Sequence, residues 1–191
     1  MKDRIWKYSL KNHKKIKDFV LNEIENTVED KSLRSDGEYS SSILKTDFFN
    51  RVSGKSQEIP EYYSFFEDNI HDFYNILHDL YYIPSLSIEN FWFQQYEQNH
   101  FHDWHIHPWT TISTVYYVEL NDPCYVTEFF DTKTKKKYQP YAEEGDIIVF
   151  DSYLPHRSPK IESDSRKTII ATNLNFNSCL DTQRIVNELS Q

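Results

Sequence analysis

Glycine and cysteine are nearly missing from this chain. Three glycines and seven prolines in 191 residues rule out a collagen-like, linker-rich or low-complexity polymer. Two cysteines, Cys124 and Cys179, form no CxxC pair. That excludes a disulfide framework and a cysteine-ligated zinc site, and it suits a reducing compartment. No apolar run approaches the roughly 20 residues of a membrane helix. The opening MKDRIWKYSLKNHKK also lacks the apolar segment of a secretory leader. Basic excess is absent too: the net charge is −9, so neither nucleic acid nor an anionic membrane is expected as a partner. The expectation is a soluble cytoplasmic protein of one domain, long enough to bury a core without staples.

What the chain does have is aromatic residues, with 14 Tyr, 13 Phe and 4 Trp, a composition far from that of disordered segments. Leu10, Ile16, Phe19, Val20, Ile24 and Val28 recur at helical spacing and predict a helix over about 9–29. Tyr62, Phe66, Ile70, Phe73, Leu77 and Leu80 predict a second over about 60–82, ended by Pro84. Polar loops are expected at 30–42 and around Gly54. Beyond Pro84 the pattern changes to short strand-like runs at 88–96, 112–120, 125–131, 146–150 and 166–176, separated by turn residues. Helices followed by strands predict an α+β chain: helical support over about 1–84, a jelly-roll or cupin-like core over 85–177 and a tail at 178–191. Lys133 to Lys137 reads as a solvated hairpin tip. His13, His71 and His78 read as surface or hydrogen-bonded residues, and Trp92 and Trp104 as core.

Chemistry concentrates in Phe101 to Leu120, FHDWHIHPWTTISTVYYVEL. Four of the eight histidines, His100, His102, His105 and His107, stand in or just before it. In an extended strand residues i and i+2 share a face roughly 6.5–7 Å apart. His105 and His107 can therefore both aim inward, and His156 from the distant Phe150 to Phe176 segment can complete one face of a metal. Three ligands on one face leave the other positions open, which is the logic of a mononuclear non-haem iron site. His100 and His102 have the same spacing and compete for the role, because spacing does not choose register. Arg166, Thr168 and Ile170 share a face of the last strand by alternation. A guanidinium fork and a hydroxyl there are suited to a carboxylate. Either Tyr116 or Tyr117 can join them from the strand after the His pair, and Tyr117 is favoured.

Taken together, His105-x-His107-Pro108, Ser113 to Val118, Glu144 to Phe150, Pro155-His156-Arg157-Ser158 and Arg166-x-Thr168 resemble the Fe(II)/2-oxoglutarate-dependent oxygenase superfamily. The likeness is to its prolyl-hydroxylase-like members of bacteria and phages, and it covers about 88–177. It implies a double-stranded β-helix and a hydroxylase that uses O2. Oxidative decarboxylation of 2-oxoglutarate to succinate and CO2 would be coupled to oxidation of a small-molecule or peptidyl substrate. His105, His107 and His156 would hold Fe(II), with Arg166, Thr168 and Tyr117 on the C5 carboxylate of 2-oxoglutarate. One position departs from the pattern: His107 stands where a carboxylate is usual. Three imidazoles leave the ion its full 2+ charge and suit zinc and copper as well as iron. That departure keeps two other readings in play, a cosubstrate-independent cupin-type dioxygenase with a three-histidine site and a noncatalytic metal- or ligand-binding jelly roll.

Overall fold

The architecture follows from strands that bury both faces at once. The computed structural model describes residues 4–28, 41–52, 58–81 and 85–176. Most of the loop expected at 30–42, the loop around Gly54, Cys179 and the tail at 178–191 lie outside them. Five strands form where runs were expected: β3 (Leu86–Tyr96), β5 (Ile112–Leu120), β6 (Glu128–Asp131), β8 (Asp146–Asp151) and β10 (Lys167–Phe176). Five more are short: β1 (Ile5–Ser9), β2 (Lys45–Thr46), β4 (His102–His105), β7 (Lys136–Tyr138) and β9 (His156–Ser158). All pairings are antiparallel. The main sheet has the order β1-β8-β5-β10-β3-β2, and the smaller one β4-β9-β6-β7.

The N-terminal part is not purely helical support, since β1 pairs with β8 at the edge of the main sheet. Helix α1 (His13–Asn26) buries Ile16, Val20 and Ile24, one turn apart on one stripe. A short helix α2 (Phe48–Val52) follows β2. The single helix expected at 60–82 is two, α3 (Glu61–Asp68) and α4 (His71–Tyr81). The break falls at Asn69, whose side-chain amide donates to the Phe65 carbonyl at 2.8 Å, competing with the backbone ladder. No helix among the described residues is long and apolar enough to cross a membrane.

Two apolar layers result. The first joins Ile16, Val20 and Ile24 of α1, Tyr62, Tyr63 and Phe66 of α3, and Phe73 and Leu77 of α4 to Phe93, Tyr116, Val118, Ile147, Val149, Ile170 and Leu174 of the main sheet. The second lies between the sheets and holds Tyr96, Val115, Tyr117, Phe129, Ile148, Phe150 and Ile169. Each central strand thus alternates between a helix-covered outer face and an inner face turned toward the small sheet. Register shifts opposite Thr168/Ile169 and Asn173/Leu174 interrupt the alternation. The first pairs Thr168 with Glu119 but Ile169 with Tyr117, so Glu119 faces outward and Leu120 turns back in. Before β8, Gly145 at φ +90 is required, because a Cβ there would lie 2.8 Å from Cγ of His13.

Candidate functional site

β4 and β9 carry the site into the space between the sheets. They pair with His105 opposite His156, which brings the two rings to 4.2 Å between centroids. His107 lies just beyond β4 instead of within it. Its N–H donates to the Ser152 carbonyl at 2.9 Å, and its ring centroid stands 5.1 Å from that of His105 and 4.8 Å from that of His156. One nitrogen from each of His105, His107 and His156 lies within 4.8 Å of the others. His100 is not among them and bonds to the backbone of Glu97. His102 stacks on His105 at 4.0 Å between centroids but adds no nitrogen to the cluster.

The Nδ1 atom of each of the three is engaged. His105 Nδ1–H donates to the Asp103 carbonyl at 2.7 Å and His156 Nδ1–H to the Leu154 carbonyl at 2.9 Å. His107 Nδ1 lies 2.7 Å from Asn173 Oδ1, which can only accept. Asn173 is itself oriented by its Nδ2–H bond to Asn90 Oδ1 at 2.7 Å. These bonds fix the tautomers and leave Nε2 of every ring with a free lone pair. Burial is the first cause holding all three below the usual histidine range, His107 at about 3, and the neighbouring rings of the cluster add to it for His107 and His156. Such rings are neutral, the form that binds a metal. Asn90 and Asn173 were not singled out in the sequence, and a lone asparagine in a strand offers no signal of this role.

Alternation places Arg166, Thr168 and Ile170 on one face, as expected, but it is the outer face. Arg166 pairs with Glu25 of α1, and its Nε lies 3.0 Å from Glu119. Thr168 donates to Glu119 at 3.1 Å. The physical reason is packing: Ile170 and Leu174 seat under the helices, and that phase turns Lys167, Ile169, Ala171 and Asn173 inward. Lys167 is 1% exposed. Its Nζ donates to the Tyr125 carbonyl at 2.9 Å and to Ser158 Oγ, and it stands 4.6 Å from the centroid of Tyr96. No carboxylate among the described residues pairs with it, and burial pulls its pKa down to about 7.

Tyr117 faces inward while Tyr116 faces the helices. The Tyr117 phenol is 2.8 Å from the Thr127 hydroxyl and accepts from Thr127 N–H at 2.9 Å. Tyr116 bonds instead to His13 Nδ1 at 2.7 Å, and His13 Nε2 lies 3.2 Å from Glu144, so His13 is a satisfied structural residue. Trp92 is core, 5.4 Å from the His107 ring centroid, whereas Trp104 lies on the outer side of the small sheet beside Arg157 at 4.8 Å. The Lys133 to Lys137 segment is exposed at the β6–β7 turn.

No protein-family model and no curated protein matches the sequence. Solved structures are similar in fold at low identity. One is the viral collagen prolyl hydroxylase from Paramecium Bursaria Chlorella virus-1 in its 2OG complex, 13% identical with a TM-score of 0.59, covering 90% of this chain and 95% of that one. A prolyl-4-hydroxylase from Pseudomonas putida is 9% identical with a TM-score of 0.58, over 91% and 93% of the two chains. AviO1 from Streptomyces viridochromogenes Tue57 is 13% identical with a TM-score of 0.61, over 91% and 90%.

Proposed function

We propose that the protein is an Fe(II)- and 2-oxoglutarate-dependent dioxygenase acting as a hydroxylase, built as one double-stranded β-helix (jelly-roll) domain with supporting helices. The observation that carries the reading is a pairing on the interior walls. Three neutral imidazoles converge there, and the same interior holds a buried lysine with no carboxylate partner among the described residues. The donor set fits iron, because three oriented Nε2 lone pairs on one side leave the opposite positions open. The lysine fits the far carboxylate of a dicarboxylic oxo acid, since an uncompensated buried ammonium favours an anionic ligand. The likeness in fold to prolyl hydroxylases, one of them solved with 2OG, supports both assignments.

In this reading His105, His107 and His156 hold the ion through Nε2. Iron(II) there supplies oxidative chemistry with O2 and 2-oxoglutarate when bound. Lys167 takes the C5 carboxylate in a charge-assisted hydrogen bond, the role expected of Arg166 and Thr168. Tyr117, with Thr127, lines the same inner layer. Phe129 and Phe150 pack against the His156 ring and exclude water from the reacting groups. Because all three ligands are neutral, the ion keeps its 2+ charge and attracts an anionic oxo acid more strongly. The substrate is a small molecule or a peptidyl side chain.

His107 in the carboxylate position is the observation that favours a cosubstrate-independent cupin-type dioxygenase, in which Lys167 would hold the substrate's own carboxylate. Succinate release separates the two readings. Metal-stripped protein, reconstituted anaerobically with Fe(II), given 2-oxoglutarate and then air, is expected to release succinate at a slow uncoupled rate. His105→Ala and His156→Ala should abolish it. Metal binding without any 2-oxoglutarate binding would overturn the proposal in favour of the cupin-type reading.

A further inference from the structure

The fourth histidine, His102, is left over from the metal cluster yet stands inside the site. Its ring lies nearly parallel to that of His105, 4.0 Å between centroids and 22° between planes. Side-by-side parallel rings direct their lone pairs alongside each other, so both cannot converge on one ion. His102 is nonetheless near Lys167 as well, since it pairs across the small sheet with Ser158, whose Oγ accepts from the Lys167 ammonium. A ligand reaching from Lys167 to the three histidines therefore passes His102.

A chain of two hydrogen bonds links its ring to Tyr96, which stands beside Lys167. The Lys167 ammonium lies 4.6 Å from the centroid of the Tyr96 ring and donates to Ser158 Oγ. Tyr96 O–H donates to Gln94 Oε1 at 2.6 Å, and Gln94 Nε2 faces His102 Nδ1 at 3.4 Å. The sense of this chain is set at Tyr96, whose fully buried O–H is spent on the Gln94 carbonyl oxygen. The Gln94 amide then presents N–H to His102. An amide N–H can only donate, so Nδ1 of His102 accepts and the ring proton sits on Nε2.

Resting on the oxygenase reading above, we propose that His102 is a positioning residue for the cosubstrate. Its fixed Nε2–H donates a hydrogen bond to the 2-oxo carboxylate end of the dicarboxylate, beside the metal and opposite the end held by Lys167. The chain from Tyr96 through Gln94 keeps that donor in place. With His107 standing where an anionic ligand is usual, the metal is bound by neutral groups only, and His102 adds a neutral donor at the anion. The chain makes His102 neither a metal ligand nor a base.

The test uses the intact chain loaded with Fe(II) under argon. Binding of 2-oxoglutarate is followed through its visible charge-transfer absorption, and binding of Fe(II) is measured separately. His102→Phe should weaken 2-oxoglutarate roughly ten- to a hundredfold, the loss of one hydrogen bond to a charged group, while Fe(II) affinity changes less than about threefold, well under the loss of an outer partner of a ligand. Gln94→Glu keeps the ring and reverses the chain, since a carboxylate accepts from Nδ1–H. Nitrogen-15 NMR of the metal-free protein should find His102 protonated on Nε2 in the native chain and on Nδ1 in Gln94→Glu. The Gln94→Glu protein should also lose 2-oxoglutarate affinity. Unchanged 2-oxoglutarate affinity in both variants, or a native Nδ1–H tautomer, would overturn the inference. So would a collapse of Fe(II) binding in His102→Phe to the level of His105→Ala. If the native Fe(II) protein binds no 2-oxoglutarate, the oxygenase reading itself falls and takes this inference with it.

Discussion

The two faces of the main sheet handle polar groups in opposite ways. On the outer, helix-covered side the charges meet partners. Arg166 meets Glu25 and Glu119, Lys17 meets Glu144 at 2.8 Å, and Arg51 meets the buried Asp47 at 3.0 Å. Tyr62 O–H and Phe93 N–H also donate to Asp47, at 2.7 and 2.9 Å. On the inner side the described residues include four clustered histidines, a glutamine, an asparagine and one ammonium, with no carboxylate paired to that ammonium. The outer network gives each of these charges a counter-charge. The inner one is open toward a ligand, since a buried charge without a counter-charge costs free energy until an anion arrives. Closed polar networks mark structure in this molecule, and the open one marks the site.

Arg166, just before β10, and Lys167, its first residue, test that contrast most sharply. Lys167→Ala should raise the 2-oxoglutarate concentration needed for half-maximal succinate release on the order of a hundredfold or more, as loss of a buried charge partner does. Arg166→Ala should leave that concentration within about twofold and cost about 0.5–1 kcal/mol in chemical denaturation, because its ion pairs are partly exposed. Equal effects of the two would erase the distinction between the faces.

Removing a support behind a ligand should come next in size. Asn173→Ala leaves His107 Nδ1 only the Ser113 hydroxyl at 2.8 Å, and Fe(II) affinity in a competition titration is expected to drop ten- to a hundredfold. No change would mean that the His107 ring is held by its remaining contacts alone.

A pH series sharpens the same comparison. Burial lowers the Lys167 pKa from 10.5 to about 7, so between those values the unfolded chain binds more protons than the folded one. The contribution of Lys167 to the stability of the ligand-free protein therefore increases as pH rises through that window. Below about 7 its burial penalty is complete. Affinity for 2-oxoglutarate should move the other way, falling as pH rises through about 7 and the ammonium is lost. The groups facing the amine are Ser158, the Tyr125 carbonyl and the Tyr96 ring, and Tyr96 is itself pushed up by burial and stays neutral here. In Lys167→Met both slopes should disappear, as read from melts and binding titrations at stepped pH.

The smallest effect is expected on the closed side. Tyr116→Phe removes the 2.7 Å bond to His13 and should cost about 1–2 kcal/mol of stability with no change in Fe(II) or 2-oxoglutarate affinity.

Much of this molecule can be read from residue order. Spacing located the stripes of α1, α3 and α4 and five of the ten strands among the described residues. The His105-x-His107 pair with a distant His156 named the three residues that converge, because ligand types at short spacing survive without knowledge of the fold. Short strands such as β4, β7 and β9 escaped, since three or four residues have no periodicity of their own and exist only through pairing with distant partners. Asn69 splits a continuous helical stripe through one side-chain bond, which no periodicity registers.

The face of β10 was the decisive ambiguity. Lys167 to Leu174 are buried on both sides, so alternation tells that Arg166 and Thr168 share a face without telling which one. Helices seated on Ile170 and Leu174, with a register shift beside Thr168, turned Arg166 outward and Lys167 inward. Composition and spacing by themselves determined the candidate metal-ligand types, the helical stripes and the strand-rich core, because these are local properties of the chain. Only the tertiary structure decided which cation faces the histidines and which histidine stands beside them without joining, because each depends on the phase of a strand against its neighbours.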